Sequence, residues 1–270
     1  MEFTPILKEL SSLFSTSHLI EKKSAPLTVM ILSPHPDDES ITGTLALRLQ
    51  LENNIQVINV AVTLGSNKER QKERSIELED ACKILGFENV ILDENWSKKQ
   101  KELKSLIQKY APDIILAPHL KDHHPTHIKT GELLKKVLSS LNKMNILVAW
   151  TEFWSPLNKP NLLIEVPIEI VELQMKALEA HVGEVQRNPY HLRLPAWMMD
   201  NVRRGSELIT GKGTNSAQMA FGVLYQLQIS KKGKLTSLKL NHPFLSAHDD
   251  LAQIFKLILD AASGSKTKVK

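Results

Sequence analysis

The sequence contains one cysteine, few aromatic residues and no long apolar run. A single cysteine excludes an internal disulfide, and the position of Cys82 within an apolar helical stripe predicts a core side chain. No stretch approaches the roughly 18 apolar residues of a membrane span, and Glu2 stands where a signal peptide needs positive charge. We therefore expect a cytoplasmic protein without a membrane span.

The chain also lacks a large excess of positive or negative charge, because 34 Lys and Arg residues nearly balance 30 Asp and Glu residues. The tail SGSKTKVK, residues 263–270, holds three lysines and no acid, and we predict that it is disordered. No basic stripe with interleaved aromatic residues appears, so we expect no nucleic-acid partner. The sequence is compatible with a homo-oligomer.

What the sequence does contain is a regular alternation of apolar segments and helical patterns through the first 150 residues. The apolar segments are nearly continuous, which is typical of strands covered by helices on both faces. They span residues 27–32, 56–63, 89–92, 113–118 and 145–150. The alternation predicts an α/β fold, namely a Rossmann-like, doubly wound and mainly parallel sheet with helices on both faces.

We predict three parts along the chain. Apolar residues at helical spacing within residues 1–26 predict an N-terminal helix packed on the body. No linker or break in composition interrupts residues 27–262, which we expect to form a single domain, followed by the tail. Within this domain we predict a helix over 97–110 with Ser97 as its N-cap. We also predict an elaborated C-terminal third with strands at 162–167 and 221–230 and helices at 168–181 and 196–209.

Two loops rich in histidine and acidic residues each follow a predicted strand. PHPDDE, residues 34–39, follows the first strand, and HLKDHHPTH, residues 119–127, follows the fourth. In open α/β sheets, sites form in the crevice at the carboxyl ends of the strands. Both loops are therefore expected at the same end of one sheet, where their side chains meet.

A metal site is one interpretation of these loops. A catalytic zinc commonly takes three protein ligands from histidine nitrogen and carboxylate oxygen and keeps one position open. His35 and Asp38 are close enough in sequence to share an ion that a histidine of the second loop completes, and a neighbouring acid such as Asp37 can accept a proton from water. The alternatives are a solvated turn, or a cap in which Glu39 and its neighbours stabilise a helix starting near Ser40.

The motifs resemble those of the LmbE-like (PIG-L type) zinc-dependent N-deacetylases. PHPDDE is similar to that family's [AP]-H-P-D-D-E loop, and HPTH, residues 124–127, is similar to its H-P-D-H loop. Residues 62–86 resemble a T-x-G stretch followed by an R-x-x-E-L helix that ends in L-G. TEFWSP (151–156) and MKALEAH (175–181) match further landmarks in the same order.

The resemblance implies a role for each matching residue. His35, Asp38 and His127 fall on the metal ligands. Asp37 falls on the general base, and His124 falls on the histidine that stabilises the oxyanion. Arg74 resembles a substrate-contacting arginine, although a solvated helix charge is its alternative. Thr126 departs from the family, because it replaces the aspartate that orients the first histidine of H-P-D-H; Asp122 is the residue that can compensate.

Several further residues receive a provisional interpretation. His181 ends an apolar helix, which favours a role in packing or in supporting the site over a direct catalytic role. The four tryptophans are candidates for sugar-stacking walls, but the default location of three of them is the core: Trp96, Trp150 and Trp197. Trp154 lies in a loop near a strand end, and we count it as a candidate substrate-binding residue beside Arg74.

The resemblance implies a metal-dependent hydrolase that removes an acetyl or other acyl group from an amide nitrogen. The expected partner is a small N-acylated molecule, in particular an N-acetylglucosamine-type sugar or sugar conjugate. Zn²⁺ is the expected cofactor, although other divalent transition metals suit the same ligands. Two alternatives stay open: a non-enzymatic family member that binds a metal or ligand, and an amidohydrolase acting on a non-sugar amide.

Overall fold

The computed structural model describes residues 3–12, 14, 18–22 and 26–263. Each predicted strand is present within one or two residues of its expected bounds. The strands of this part of the chain are β1 (Thr28–Ser33), β2 (Gln56–Ala61), β3 (Glu88–Ile91), β4 (Ile114–Pro118), β5 (Ile146–Thr151), β6 (Leu162–Glu165), β7 (Gly222–Lys231), β8 (Lys234–Ser237) and β9 (Phe244–Leu245). The sequence analysis missed β8 and β9.

The strands form one sheet in the order β3-β2-β1-β4-β5-β7-β6-β9, with β8 paired to β7. The first five strands of this order are parallel to one another. Strand β7 runs antiparallel to both β5 and β6, while β9 is parallel to β6. The prediction of a mainly parallel α/β sheet is confirmed, and the elaborated C-terminal third extends the same sheet.

Helices connect the strands and cover the sheet. They are α1 (Thr4–Ser11), α2 (Asp38–Thr42), α3 (Thr44–Asn53), α4 (Gln71–Leu85), α5 (Trp96–Tyr110), α6 (Pro125–Leu138), α7 (Ile168–Ala180), α8 (Val182–Arg187), α9 (Tyr190–Thr210) and α10 (Leu251–Ser263). The predicted tail begins at the last residue of α10, and its residues 264–270 lie outside the described part. None of the helices in the described ranges is long and apolar enough to cross a bilayer.

Alternating side chains of the central strand bury two separate apolar clusters. Val29 and Ile31 of β1 contact the cluster that also contains Leu78 of α4. Met30 and Leu32 point to the opposite face, where the second cluster includes side chains of α5 and α6. This double burial explains why the strands read as continuous apolar segments rather than as alternating patterns. Cys82 is buried in the first cluster, as predicted.

Three helix starts differ from the predictions. Helix α5 begins at Trp96 because the Asn95 side chain accepts a hydrogen bond from the Ser97 backbone N–H, so Asn95 and not Ser97 is the N-cap. Helix α2 begins at Asp38 rather than near Ser40, which places part of the acidic motif inside a helix. Helix α9 begins well before residue 196 and includes Pro195, which leaves one backbone carbonyl without its helical partner.

The strand order explains where the two charged loops lie. From β1 the chain moves outward to β2 and β3, and it then returns to place β4 on the other side of β1. The crevice at such a reversal is the usual ligand site of a doubly wound sheet. The loops that follow β1 and β4 both open into this crevice, as the sequence analysis predicted.

A buried ion pair joins α3 to the C-terminal third. The side chains of Arg48 and Glu52 are both fully buried, and Arg48 Nε lies 2.7 Å from a Glu52 carboxylate oxygen. Arg48 also donates to the backbone carbonyls of Glu165 and Ser246, at 2.8 and 3.3 Å. Since two segments distant in sequence accept from one guanidinium, the pair fixes how the last strands pack on α3.

We expect Arg48→Met to destabilise the fold strongly. Removal of Arg48 leaves one Glu52 carboxylate oxygen and the buried Glu165 carbonyl without their donor, while Lys22 still contacts the other Glu52 oxygen; breaking a buried pair in this way costs about 3–5 kcal/mol. Arg203→Met is the matched control, because the Arg203–Asp200 pair is largely exposed and is worth at most about 1 kcal/mol. Urea unfolding of both variants measures the difference, and equal losses would contradict a stabilising role for the buried network.

Candidate metal centre and active site

The loop after β1 turns sharply at Asp37. Its backbone φ is 117°, a value that residues other than glycine rarely adopt. As a result, the two neighbouring carboxylates face different parts of the site: Asp37 lines a large cavity, while Asp38 contacts the imidazoles of His35 and His127. Strained backbone of this kind persists where surrounding contacts hold it, and it is common at functional sites.

The side chains of Glu39 and His181 stabilise the strained turn. The Glu39 carboxylate accepts the Asp37 backbone N–H at 3.0 Å and lies 2.7 Å from His181 Nε2. Both side chains are fully buried. Glu39 therefore accepts from the backbone of the N-cap residue of α2, which agrees with the structural role at the helix start expected for it. His181 acts through Glu39, which agrees with the supporting role expected for it.

The second loop places His124 at the N-cap of α6 and His127 in the first turn of that helix. Asp122 connects the two. One of its oxygens accepts the His124 backbone N–H at 2.8 Å, and the other lies 3.4 Å from His127 Nδ1. The Asp122 carboxylate contacts the His127 imidazole and not the His124 ring; its charge still acts to raise the pKa of His124, but burial and the neighbouring imidazoles outweigh it.

The side chains of both loops converge on one point. One ligand atom from each of His35, His124 and His127 lies within 4.8 Å of the other two. Asp38 Oδ2 lies 3.5 Å from both His35 Nδ1 and His127 Nε2. The three residues that the resemblance implies as ligands are therefore together, and His124 lies beside them.

Burial and charge shape this cluster. Burial opposes ionisation of Asp38, but His127 and His35 outweigh it and hold the pKa of Asp38 at about 2. Burial also disfavours the charged form of His127, yet Asp38 and Asp122 raise its pKa. In contrast, burial and the carboxylates of Asp38 and Glu39 raise the pKa of Asp37 well above its usual value, while Arg74 opposes the shift.

The donor set fits a divalent transition metal. His127 Nε2 is buried and makes no hydrogen bond, which is a costly state for a polar atom unless something else contacts it. The Asp122 carboxylate at Nδ1 orients the ring so that Nε2 faces Asp38 and His35. A carboxylate behind a histidine is the usual support for a metal-ligating imidazole.

His124 has a defined tautomer in its neutral form. The Thr126 backbone N–H donates to His124 Nδ1 at 3.3 Å, so Nδ1 carries the lone pair and the proton lies on Nε2. Burial and the nearby imidazoles of His35 and His127 lower the pKa of His124, which favours this neutral ring. The backbone N–H that favours this tautomer belongs to Thr126, the position where the family's motif has an aspartate.

The cavity that Asp37 lines has a volume of about 650 Å³ and contains both predicted substrate-binding residues, Arg74 and Trp154. Arg74 donates to the Pro36 carbonyl at 2.9 Å and passes directly over Gly65. A side chain at Gly65 would collide with the guanidinium, which explains the glycine of the T-x-G stretch. Trp154 is 39% exposed and packs near the His127 ring.

Several residues of the cavity differ from their default expectation or were not predicted. The core was the default location of Trp96, but it is 38% exposed and lines the cavity, as the alternative of a sugar-stacking wall requires. The sequence did offer a signal: Trp96 follows β3, and the carboxyl ends of parallel strands are where ligand sites form. Glu184 is buried in the cavity wall and contacts Arg74. Nothing in the sequence pointed to it, because α8 is distant in the chain from the other site residues.

We expect the alanine variants of the two histidines to differ in metal content. His127→Ala removes a buried nitrogen that faces the other ligands, so the purified variant should lose most of its bound ion. His124→Ala should retain the ion, because His35, Asp38 and His127 stay in place. Elemental analysis of both variants, with circular dichroism to verify the fold, provides the test. Equal metal loss would place His124 among the ligands.

Asp122→Asn should weaken metal binding without abolishing the fold. An asparagine lacks the negative charge that orients and polarises His127, and such changes typically lower metal affinity about 10–100-fold. Asp113→Asn is the matched control, since that carboxylate accepts the Thr28 backbone N–H at the opposite end of the parallel strands. Competition with a chromophoric chelator measures both affinities. An unchanged affinity in Asp122→Asn would contradict the supporting role.

Comparison with known proteins agrees with this geometry. The family model described as PIG-L, GlcNAc-PI de-N-acetylase, matches residues 30–138, which include both charged loops. A curated relative is the probable N-acetyl-alpha-D-glucosaminyl L-malate deacetylase 2 of Bacillus cereus. It is 24% identical over 186 residues, and the match covers 58% of this chain and 84% of the relative.

Solved structures share the fold. The N,N'-diacetylchitobiose deacetylase of Pyrococcus horikoshii is 18% identical with a TM-score of 0.60, covering 86% of this chain and 94% of its own. GalB, the 4-carboxy-2-hydroxymuconate hydratase of Pseudomonas putida, is 15% identical with a TM-score of 0.60, covering 79% of this chain and 99% of its own. At these identities the likeness establishes the fold alone. The family match over residues 30–138 and the shared fold both agree with the resemblance of the two motif loops to those of the LmbE-like (PIG-L type) N-deacetylases.

Proposed function

We propose that this protein is a zinc-dependent N-deacetylase that hydrolyses the acetamide of an N-acetylglucosamine-type sugar or sugar conjugate. The observation that carries the proposal is the placement of Asp37. Its carboxylate is buried and lines the large cavity beside the histidine cluster. The imidazoles of that cluster are contacted by the neighbouring Asp38 and not by Asp37. A protein that only bound a metal would have no use for such a carboxylate.

His35, Asp38 and His127 are the residues that we propose hold the ion. When bound, a divalent ion supplies Lewis acidity, which acidifies water and polarises a carbonyl. Two neutral imidazoles and one carboxylate suit zinc and leave a position open for substrate chemistry. Iron, cobalt or nickel would suit the same set.

Asp37 is the proposed general base. It accepts a proton from the attacking water while the new C–O bond forms at the acyl carbon. Desolvation and the nearby acids raise its pKa toward the working range of a base at neutral pH. When the C–N bond breaks, the same carboxyl group returns that proton to the leaving nitrogen. Amide and water thus yield one carboxylic acid and one amine.

His124 is the proposed oxyanion donor. In the tautomer described above, its Nε2–H is free to donate to the carbonyl oxygen as negative charge develops there. A preorganised donor of this kind is commonly worth about 10²–10³ in kcat. Because the pKa of His124 is lowered, we assign protonation of the leaving amine to Asp37 rather than to this ring.

Arg74 and Trp154 are the proposed substrate contacts. Arg74 lines the cavity, where its hydrogen bond to the Pro36 carbonyl holds the guanidinium in place. Trp154 forms edge-to-face contacts with Tyr190 and Phe153, which leave it rigid at the cavity wall. An aromatic wall beside polar donors suits a sugar ring, and a cavity of about 650 Å³ is within the range of small-molecule sites.

The relatives support the substrate class. The names of the Bacillus cereus and Pyrococcus horikoshii proteins both describe deacetylation of an N-acetylated glucosamine unit. The hydratase with the same fold shows that the fold by itself does not fix the reaction. An amidohydrolase acting on a non-sugar amide and a non-enzymatic binding protein are the outcomes against which the proposal is tested.

We expect release of acetate and free amine in equal amounts from at least one member of a panel of N-acetylated sugars and sugar conjugates. Asp37→Asn should lower kcat about 10²–10⁴-fold, because the amide cannot accept the proton, and it should retain the bound metal. Glu94→Gln is the matched control, since Glu94 lines the same cavity and has no proposed role in proton transfer.

Three results would contradict the proposal. If no sugar releases acetate while non-sugar amides are hydrolysed, the substrate class is wrong. Hydration of a carbon–carbon double bond without amine release would indicate hydratase chemistry. An Asp37→Asn variant that keeps the wild-type rate would remove the carboxylate from the mechanism.

A further inference from the structure

The loop between β5 and β6 contacts the second charged loop, residues 119–127, at Ser155. This serine is buried and accepts two hydrogen bonds from that loop. Its Oγ accepts the His123 backbone N–H at 2.9 Å, and its carbonyl oxygen lies 2.9 Å from His119 Nε2. Neither Ser155 nor His119 lines the cavity, and neither has a role in the proposed chemistry. Their contacts therefore need a separate explanation.

His119 is held in one neutral tautomer. The Lys121 backbone N–H donates to His119 Nδ1 at 3.3 Å, so Nδ1 carries the lone pair and the proton lies on Nε2. That proton is donated to the Ser155 carbonyl. Both ring nitrogens of this buried histidine are thus used within the protein, which leaves none to bind an ion. His119 therefore connects two loops and is not a further metal ligand.

The two contacts of Ser155 enclose Asp122. His119 precedes that aspartate in the chain and His123 follows it, and the His119 carbonyl also accepts the Asp122 backbone N–H at 3.2 Å. Asp122 in turn contacts the imidazole of one histidine of HPTH and the backbone N–H of the other. The residue that orients the histidine cluster is therefore fixed on both sides by one serine of a different loop.

The loop between β5 and β6 is closed on itself and joined to α9. The buried Glu152 carboxylate accepts the Leu157 backbone N–H across the loop and forms an ion pair with Arg204 of α9. Trp154, a proposed substrate contact, lies between the two ends of the loop and next to Ser155. The same short segment thus provides an aromatic part of the cavity wall and the acceptors that fix the second loop.

We propose that Ser155 and His119 are positioning residues that fix Asp122, and through it the metal centre, relative to the cavity wall at Trp154. This inference rests on the proposed function and adds to it two residues that contact neither the ion nor the substrate. A metal centre needs its ligands held in the productive geometry by surrounding hydrogen bonds. The second loop is an irregular segment between β4 and α6, and its two contacts with Ser155 supply that restraint.

Two substitutions of His119 separate its contact with Ser155 from its contact with Lys121. In His119→Gln the side-chain amide nitrogen takes the place of Nε2 and can still donate to the Ser155 carbonyl. In His119→Asn the shorter amide can accept the Lys121 N–H, as asparagine commonly does two residues along the chain, but it does not reach Ser155. We expect His119→Gln to keep the zinc affinity and His119→Asn to lower it about tenfold, the lower end of the range for partners of metal ligands.

Ser155→Ala removes the acceptor of the His123 N–H and should also weaken zinc binding. Ser206→Ala is the matched control, because Ser206 is also buried and its Oγ accepts the Ala217 backbone N–H at 2.9 Å, away from the cavity lining. Both serine variants lose one buried hydrogen bond, so their thermal midpoints should fall by similar amounts, whereas only Ser155→Ala should bind zinc more weakly. Competition with a chromophoric chelator and thermal unfolding of the full-length protein measure the two effects.

The inference is overturned if Ser155→Ala binds zinc with the same affinity as Ser206→Ala. It is also overturned if His119→Asn binds zinc at least as tightly as His119→Gln, because the histidine would then act only within its own loop. Failure of the proposed function has a different signature. In that case the wild-type protein binds zinc but releases no acetate from any acetylated probe, whatever the affinities of the variants.

Discussion

The site depends on the hydrogen bond between the Glu39 carboxylate and the Asp37 backbone N–H. That bond holds a backbone conformation that is costly for an aspartate, and His181 holds Glu39 in turn. The conformation separates two adjacent carboxylates, so that one faces the histidine cluster and its neighbour faces the cavity. Without the turn, a single loop could not provide both the proposed metal ligand and the proposed proton acceptor.

Desolvation gives these groups their chemical character. The crevice between β1 and β4 buries the three consecutive acids Asp37, Asp38 and Glu39 together with His127. Opposite charges stabilise the ionised form of Asp38, whereas like charges and burial destabilise that of Asp37. Two neighbouring carboxylates thereby differ in pKa, which is the usual basis for separating a ligand from an acid–base group.

The fold determines which surfaces surround this chemistry. Helices on opposite sheet faces line the cavity. On one side Glu184 forms ion pairs with Arg74 and Arg187. On the other side the ammonium of Lys99 donates to a backbone carbonyl. A hydratase shares the fold at a TM-score of 0.60. Specificity within such a fold therefore belongs to the walls and loops and not to the sheet.

The sequence by itself determined the strands β1 to β7, most of the helices, and the residues of the two loops, because apolar periodicity and local motifs depend on neighbours in the chain. It also placed His35, Asp38 and His127 at one sheet edge, since parallel strands end together. Only the tertiary structure decided that Asp122 contacts His127, that Trp96 is exposed and that Glu184 joins the wall. These contacts join elements distant in sequence, and their geometry is fixed by packing and burial, which no local pattern encodes.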